Sequence, residues 1–349
     1  MYVRRSLRML VAVLAVSLVA VACADGNGNG VDDPPDDQNG ADDDVDGADD
    51  EAAGGGTIGF SVYDMQPTFF QAMEAGTQDA VEAAGYEYTL HDQQSDESQM
   101  VSGAQNLLQQ DVDALIISPF RPDALGPIIE QAQQTDTPVV VNDIGGGDTD
   151  YDAIVISDNE QGGVQAADYL DDLLSARDAE AQVASITCEP SAVYAARRNQ
   201  GFEAQAAELG YDVVASLNAN SNADEAYTVM QDILSSNPDV AGVFACNDPM
   251  AVGAANAIID AGMDPVEDIA VVGFNADEEA IDAINADNLA ATVAQFPSLM
   301  GELSVELATD LIDGESLDFD NADEREMFAP VVLVTPDNID TYEDEATLD

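Results

Sequence analysis

The sequence predicts an α/β protein made of two similar doubly wound parallel-sheet lobes with a ligand cleft between them, and three observations carry that expectation. From Thr57 onward, apolar runs of strand length alternate with amphipathic helical stretches, the pattern of βαβ units whose sheet is covered on both faces. The pattern occurs twice. Ala83-Ala84-Gly85-Tyr86-Glu87 returns as Glu208-Leu209-Gly210-Tyr211-Asp212, and each copy leads to an Asp-Val step, Asp111-Val112 and Asp239-Val240, that enters the next strand. Repetition on this scale means two copies of one design. Finally, strands of the second half end in polar residues: GVFACND delivers Asn247 and Asp248, IAVVGFN delivers Asn275, and AATVAQ delivers Gln295. An open parallel sheet binds its ligands beyond those carboxyl ends, and these side chains both donate and accept hydrogen bonds without being strong nucleophiles.

Taken in order, the chain opens with a targeting segment. Arg4, Arg5 and Arg8 precede an apolar run from Met9 to Ala22, which is too short for a standard membrane span. Arg4-Arg5-Ser6-Leu7 also has the look of a twin-arginine signal, which leaves the export route open. The segment ends Ala20-Val21-Ala22-Cys23, similar to a lipobox, so residues 1–22 read as a signal peptide and Cys23 as a lipidation site. The alternative is a plain secretory signal beside an incidental Cys23. Residues 23–56 follow as an acidic, Gly-rich spacer that cannot bury enough apolar surface to order itself. Within it, Asp25, Asn27, Asn29 and Asp36 imitate the spacing of a calcium loop, but Pro34-Pro35 interrupts them and no helices flank them, so a linker is the preferred reading. The first strand series is then TIGFSVY (57–63), EYTL (87–90), ALIISP (114–119), PVVVND (138–143) and AIVIS (153–157). The second is QVASITC (182–188), DVVASL (212–217), GVFACN (242–247) and IAVVGFN (269–275). Between them lie helical segments such as Thr68–Ala84, stopped by Gly85, and Asn159–Arg177.

Charge narrows the function. Seventy Asp and Glu face eight basic residues, all Arg, for a formal charge of −62. Nucleic acid is excluded as a partner, since phosphate binding needs Lys and Arg patches. The acid is spread over periodic, apolar-patterned segments, which indicates a folded protein adapted to high salt, where screening relieves self-repulsion. Removing residues 1–22 deletes three Arg and no acid, giving 5 − 70 = −65 for the mature chain.

The ordered run of segments from about 57 to 335 resembles the ribose-type periplasmic sugar-binding proteins that serve ABC importers. The resemblance implies that the aromatic pair after the first strand, Phe69 and Phe70, stacks on a sugar ring, with at most one of the two being plain core. It places an acid after the fourth strand at Asp143, an Arg four residues before the Phe of a Gly-Phe pair at Arg198, an amide at Asn247 and a Gln at Gln295. Arg197 takes the role of Arg198 if the register slips by one. Tyr63 and the Phe274-Asn275 pair complete the implied ligand-binding set. Three departures stand out: Asn275 where ribose binders carry Asp, Ile144 where a basic residue follows the acid, and Ser221 in place of an aromatic. These swaps should alter which hydroxyls are read.

The resemblance further implies a three-strand hinge, crossed near Ser157-Asp158, near Gln295-Phe296 and around Glu326 to Ala329. The N-terminal lobe is then 57–157 with 296–325, and the C-terminal lobe 158–295 with 326–349. The implied protein is a monomer without cofactor or metal. It is tied to the outer membrane face only by its lipid, and hands a monosaccharide or polyol to a membrane permease; the alternative is a sugar-sensing subunit for a chemoreceptor or sensor kinase. Enzymatic readings find little material. His91 has no nucleophile beside it and reads as a surface residue, and Ser61-Val62-Tyr63-Asp64 occupies the place where a nucleotide fold needs glycines. An N-terminal export signal stands where a sugar-responsive repressor would carry a DNA-binding helix pair. Cys188 and Cys246, ending adjacent strands, are read as free core thiols in preference to a disulfide.

Overall fold

A computed structural model describes residues 55–177 and 182–346, apart from the side chains of 344 and 345. The signal segment, Cys23 and the spacer up to residue 54, with its calcium-like spacing, lie outside the described residues. The first lobe contains β1 (Thr57–Val62), α1 (Thr68–Ala83), β2 (Glu87–Asp92), α2 (Glu97–Leu108), β3 (Ala114–Ile117), α3 (Gly126–Gln134), β4 (Val139–Asn142) and β5 (Ala153–Ser157). The second contains α4 (Asn159–Arg177), β6 (Gln182–Thr187), α5 (Val193–Leu209), β7 (Asp212–Asn218), α6 (Ala223–Ser236), β8 (Gly242–Ala245), α7 (Asp248–Asp260), β9 (Ala270–Asn275), α8 (Glu278–Asn285) and β10 (Ala291–Gln295). The chain then returns to the first lobe as α9 (Pro297–Ile312) and β11 (Glu326–Ala329), and ends in the second with β12 (Val331–Val334).

The two sheets have the same strand order, β11-β5-β4-β3-β1-β2 and β12-β10-β9-β8-β6-β7, so the repeat seen in the sequence is a repeat of topology. Every pairing is parallel except β10 with β12. In each lobe the order reverses beside the first strand, between β1 and β3 and between β6 and β8. Those reversals open the crevices in which doubly wound sheets hold ligands. Central strands β3, β4, β5 and β8 are buried along their whole length, as continuous apolar runs require. The edge strands β2 and β7 are half-exposed, which accounts for their mixed composition. Four apolar clusters fill the two faces of the two sheets.

The recurring Gly-Tyr step has a physical cause. Gly85 and Gly210 follow α1 and α5 with φ of +82° and +95°, a left-handed conformation that glycine adopts without steric cost. The next residue then closes the helix end, the N–H of Tyr86 donating to the Val81 carbonyl and that of Tyr211 to the Ala206 carbonyl.

Three expectations change. Strand β11 pairs with β5 in the first sheet and β12 with β10 in the second, so the last crossing falls at Pro330, and Glu326–Ala329 belongs to the first lobe. Cys188 and Cys246, expected as free thiols, form a disulfide. They extend the neighbouring strands β6 and β8, and their Cα atoms are 5.7 Å apart, within bridging range. His91 is not a free surface side chain: it is half-buried against α2, with Nε2 3.0 Å from the Gln99 carbonyl oxygen.

Candidate functional site

The first lobe contributes an aromatic wall and a carboxylate. Tyr63 extends β1, Phe69 and Phe70 open α1, and Phe120 follows β3, so all four meet at the carboxyl edge of the sheet. Tyr63 stacks on Phe70 at 4.9 Å between centroids, Phe120 meets Tyr63 edge-on at 5.3 Å, and Phe69 stands edge-on to Phe70 at 5.3 Å. Phe70 is the buried member of its pair, at 8 % exposure, while Phe69 keeps accessible surface. Beneath the wall, the buried Gln93 amide donates to the carbonyls of Ser61 and Ser118 and accepts from the Phe120 N–H, tying the ends of β1 and β3 together. The Ser118 hydroxyl beside it is buried and has no partner among the described residues.

Asp143 follows β4 with φ of +66°, a conformation that Asp tolerates better than most residues. Its backbone is held by its N–H to the Val155 carbonyl and by the neighbouring Asn142, whose amide donates to Met300 O and Ser304 Oγ of α9. Its carboxylate has no hydrogen-bond partner among the described residues. Loss of solvent raises its pKa to about 6, and the charge of Arg198 across the cleft pulls the other way.

The second lobe contributes a buried cation held almost entirely by neutral oxygens. Arg198 donates from Nε to Asn159 Oδ1 at 2.7 Å, from Nη1 to the Cys246 carbonyl at 3.0 Å and to Asn275 Oδ1 at 3.3 Å, and from Nη2 to Gln295 Oε1 at 3.2 Å. Four of its five N–H groups are thereby used, leaving one on Nη2. Phe274 lies under the guanidinium at 3.9 Å and is fully buried, so it supports Arg198 and is not a surface open to ligand. Burial draws the pKa of Arg198 down to about 10, still far above neutral, with Asp143, Asp248 and Asp277 opposing the shift.

The amides are tied into the same network. Gln295 Nε2 donates to Asn275 Oδ1 at 2.8 Å, Ser157 donates to Gln295 Oε1 at 2.9 Å, and Asn275 Nδ2 reaches Asp277 at 3.2 Å. Asn275, with φ of +133°, is thus engaged on both sides of its amide. Asn247 Oδ1 caps α7 by accepting from Met250 N, which leaves its Nδ2 to face outward. Asp248 is buried behind, accepting from Thr292 and from the Asp277 N–H, and loss of solvent raises its pKa to about 7. Ser221, where an aromatic would stand, donates to Glu189. Arg197 points elsewhere: its guanidinium goes to Glu326, while that of Arg198 lies among the strand-end amides.

Sequence reading missed Phe120, Gln93 and Asn159. Ser118 carried a signal, as the polar end of a strand in the repeat. Gln93 and Asn159 work through folded-state partners far away in sequence, which no local pattern displays. A groove of about 660 Å³ lined by Gln133, Asp150, Leu317 and Arg325 lies at the opposite, amino-terminal ends of β4 and β5, away from all these groups.

Two doubly wound lobes, with polar and aromatic groups converging from both onto the strand ends and no activated nucleophile among them, define a cleft-type binding protein. Residues 58–316 match the family model described as periplasmic binding protein domain. Among curated relatives, the ribose import binding protein RbsB of Bacillus subtilis is 34% identical over 279 residues, covering 80% of this chain and 87% of that protein. A solved periplasmic ribose ABC transporter protein from Conexibacter woesei superposes with a TM-score of 0.75 at 26% identity, over 82% of this chain and 94% of that one. The Caulobacter myo-inositol binding protein, solved with myo-inositol bound, superposes with a TM-score of 0.64 at 29% identity, over 83% and 95%. The chain belongs to the periplasmic binding protein family, in its ribose-type sugar-binding branch, and is a binding protein, not an enzyme.

Proposed function

We propose that this protein captures one monosaccharide or polyol, in the size range from ribose to myo-inositol, and presents it to an ABC permease. The observation that carries the reading is the pairing of Arg198, with its one uncommitted N–H, against Asp143, whose carboxylate lacks a protein partner, on opposite sides of a cleft floored by Phe69 and Tyr63. A donor and an acceptor facing each other beside a ring face suit neighbouring hydroxyls on a sugar. Asn247 Nδ2 and Gln295 supply the remaining polar contacts. Relative to the ribose pattern, Asn275, Ile144 and Ser221 shift the set of hydroxyls recognised.

The export segment and Cys23 support a lipid-anchored monomer outside the cytoplasmic membrane, and the acidic composition supports operation at high salt. Among the described residues no helix is long and apolar enough to cross a membrane. Calorimetric titration of the mature protein with D-ribose, xylitol and myo-inositol in concentrated salt tests the reading. One-to-one binding of at least one, with the ligand recovered unaltered, is expected. Failure of every polyol to bind, or chemical alteration of the one that binds, would overturn it.

A further inference from the structure

We infer that Arg197 and Glu326 are positioning residues that set the angle between the lobes, and through it the affinity for ligand, without touching ligand. Five Arg follow the N-terminal segment, and each has an identifiable task. Arg121 pairs with Asp123 on the surface, Arg177 holds the Val266 and Glu267 carbonyls, and Arg325 holds Asp150, all within one lobe. Arg198 serves the cleft. Arg197 alone among the described residues forms an ion pair from one lobe to the other. It extends from the first turns of α5, and its Nη1 and Nη2 donate to the two oxygens of Glu326 at 2.9 and 2.8 Å, a two-pronged fit. Glu326 begins β11 in the first sheet and is fully buried, with Asn321 Nδ2 donating to it as well.

A second contact runs beside the pair. Arg197 lies over the ring of Tyr194 at 4.7 Å, and that ring packs into the apolar cluster of the first lobe next to Tyr151. Tyr194 comes close because Gly145 has no side chain; a Cβ there would fall 2.8 Å from the ring. Gly145 stands two residues after Asp143, so the loop that carries the ligand-facing carboxylate is also the seat of the opposing lobe.

The hinge geometry makes this contact sensitive to angle. Glu326 lies four residues before the crossing at Pro330, about 13 Å along the strand at ~3.3 Å per residue. A domain rotation of about 15° moves a group at that radius by ~3 Å, enough to break both hydrogen bonds. Opening therefore exchanges a satisfied pair, buried on the Glu326 side and partly exposed on the Arg197 side, for two hydrated ions. Because desolvation offsets much of the gain on closing, the pair's main effect is to specify one lobe angle, and its fork suits Arg better than Lys.

This inference rests on the sugar-binding reading only for its affinity arm. Arg197→Met, Glu326→Gln and the double variant are compared with the parent protein by small-angle scattering without ligand and by titration with D-ribose and myo-inositol. Each single variant should enlarge the ligand-free radius of gyration and weaken whichever sugars bind about tenfold. The ratio of affinities between the two sugars should hold within about twofold, and the double variant should be no weaker than the worse single one. Arg197→Lys should restore little. An unchanged ligand-free radius in both single variants would overturn the inference, as would a changed ratio between sugars, which would place Arg197 in the ligand shell. If the parent binds neither sugar, the site reading fails while the ligand-free scattering still decides the lobe contact.

Discussion

At the residue scale, the cleft depends on two charges whose surroundings are opposite in kind. Arg198 is enclosed and satisfied by neutral oxygens, so truncation leaves Asn159 Oδ1 without its donor, while Asn275 Oδ1 keeps Gln295 and Gln295 Oε1 keeps Ser157, and on the proposed reading it also removes a charge-assisted contact to ligand. Arg198→Ala should weaken sugar binding by about 2–5 kcal/mol, whereas Arg121→Ala, half-exposed beside Asp123, should leave it unchanged. Titration calorimetry of both variants checks this, and equal losses would mean the cleft has been misplaced. Asp143 behaves differently because its carboxylate has no hydrogen-bond partner among the described residues. Its folded pKa is raised to about 6, so the folded protein retains a proton that the unfolded chain releases near pH 4. Ionisation therefore opposes folding, and the ligand-free protein should lose stability as pH rises from about 4 to about 6. On the proposed reading binding has the opposite sign, since ligand hydroxyls would donate to the ionised form. Affinity should fall about fivefold for the first pH unit below ~6, and Asp143→Asn should flatten that profile while lowering affinity above it. Asp143 was legible in the sequence as the residue that follows a strand, whereas Arg198 lies inside α5 and was marked only by its place four residues before the Phe of Gly201-Phe202. Phe274 was misread as a ligand contact because adjacency to Asn275 does not reveal on which side of the sheet a ring points.

At the element scale, Arg198 is placed by close packing of α4 against α5, and glycine makes that possible. A Cβ on Gly163 of α4 would fall 2.0 Å from the Arg198 carbonyl oxygen, and one on Gly201 of α5 would fall 2.2 Å from that of Glu160. Gly210, by contrast, ends α5 in open space and is required only for its positive φ. Gly210→Ala should thus cost about 1 kcal/mol of stability with affinity intact. Gly163→Ala must displace α5 and its arginine, so it should lower ligand affinity more than tenfold as well as stability. Thermal melts paired with titrations separate the two, and a Gly163→Ala protein with parental affinity would show that α4 does not position Arg198. The alternation of strands and helices, the Gly-Tyr helix ends and the order of buried strands were all readable locally. The disulfide and the exact hinge strand were not. Cys188 and Cys246 are linked only through the β6–β8 pairing, and the short β11–Pro330–β12 run looks like one strand until two different sheets claim its halves.

At the scale of the whole molecule, closure must bring together two lobes that are both strongly acidic. Seventy carboxylates face eight Arg in the sequence, and among the described residues only five ion pairs form, so most of the negative charge meets solvent directly. Repulsion of that kind acts over about 10 Å at 0.1 M salt and only ~3 Å at 1 M. The melting temperature should therefore rise steeply over that range and then level, a curve that calorimetry in potassium chloride can trace. On the proposed reading ligand uptake narrows the gap between the lobes, and the same repulsion then opposes closure. A neutral sugar carries no charge for salt to screen, so any salt dependence of its affinity reports the cost of moving the lobes. Affinity should accordingly strengthen as salt is added and level where the melting temperature levels, with the Arg197–Glu326 pair less affected than surface charges because its carboxylate is enclosed. If stability rises with salt while affinity stays flat, the acidic surface protects the fold but plays no part in closure. If neither moves, salt adaptation is the wrong explanation for the charge.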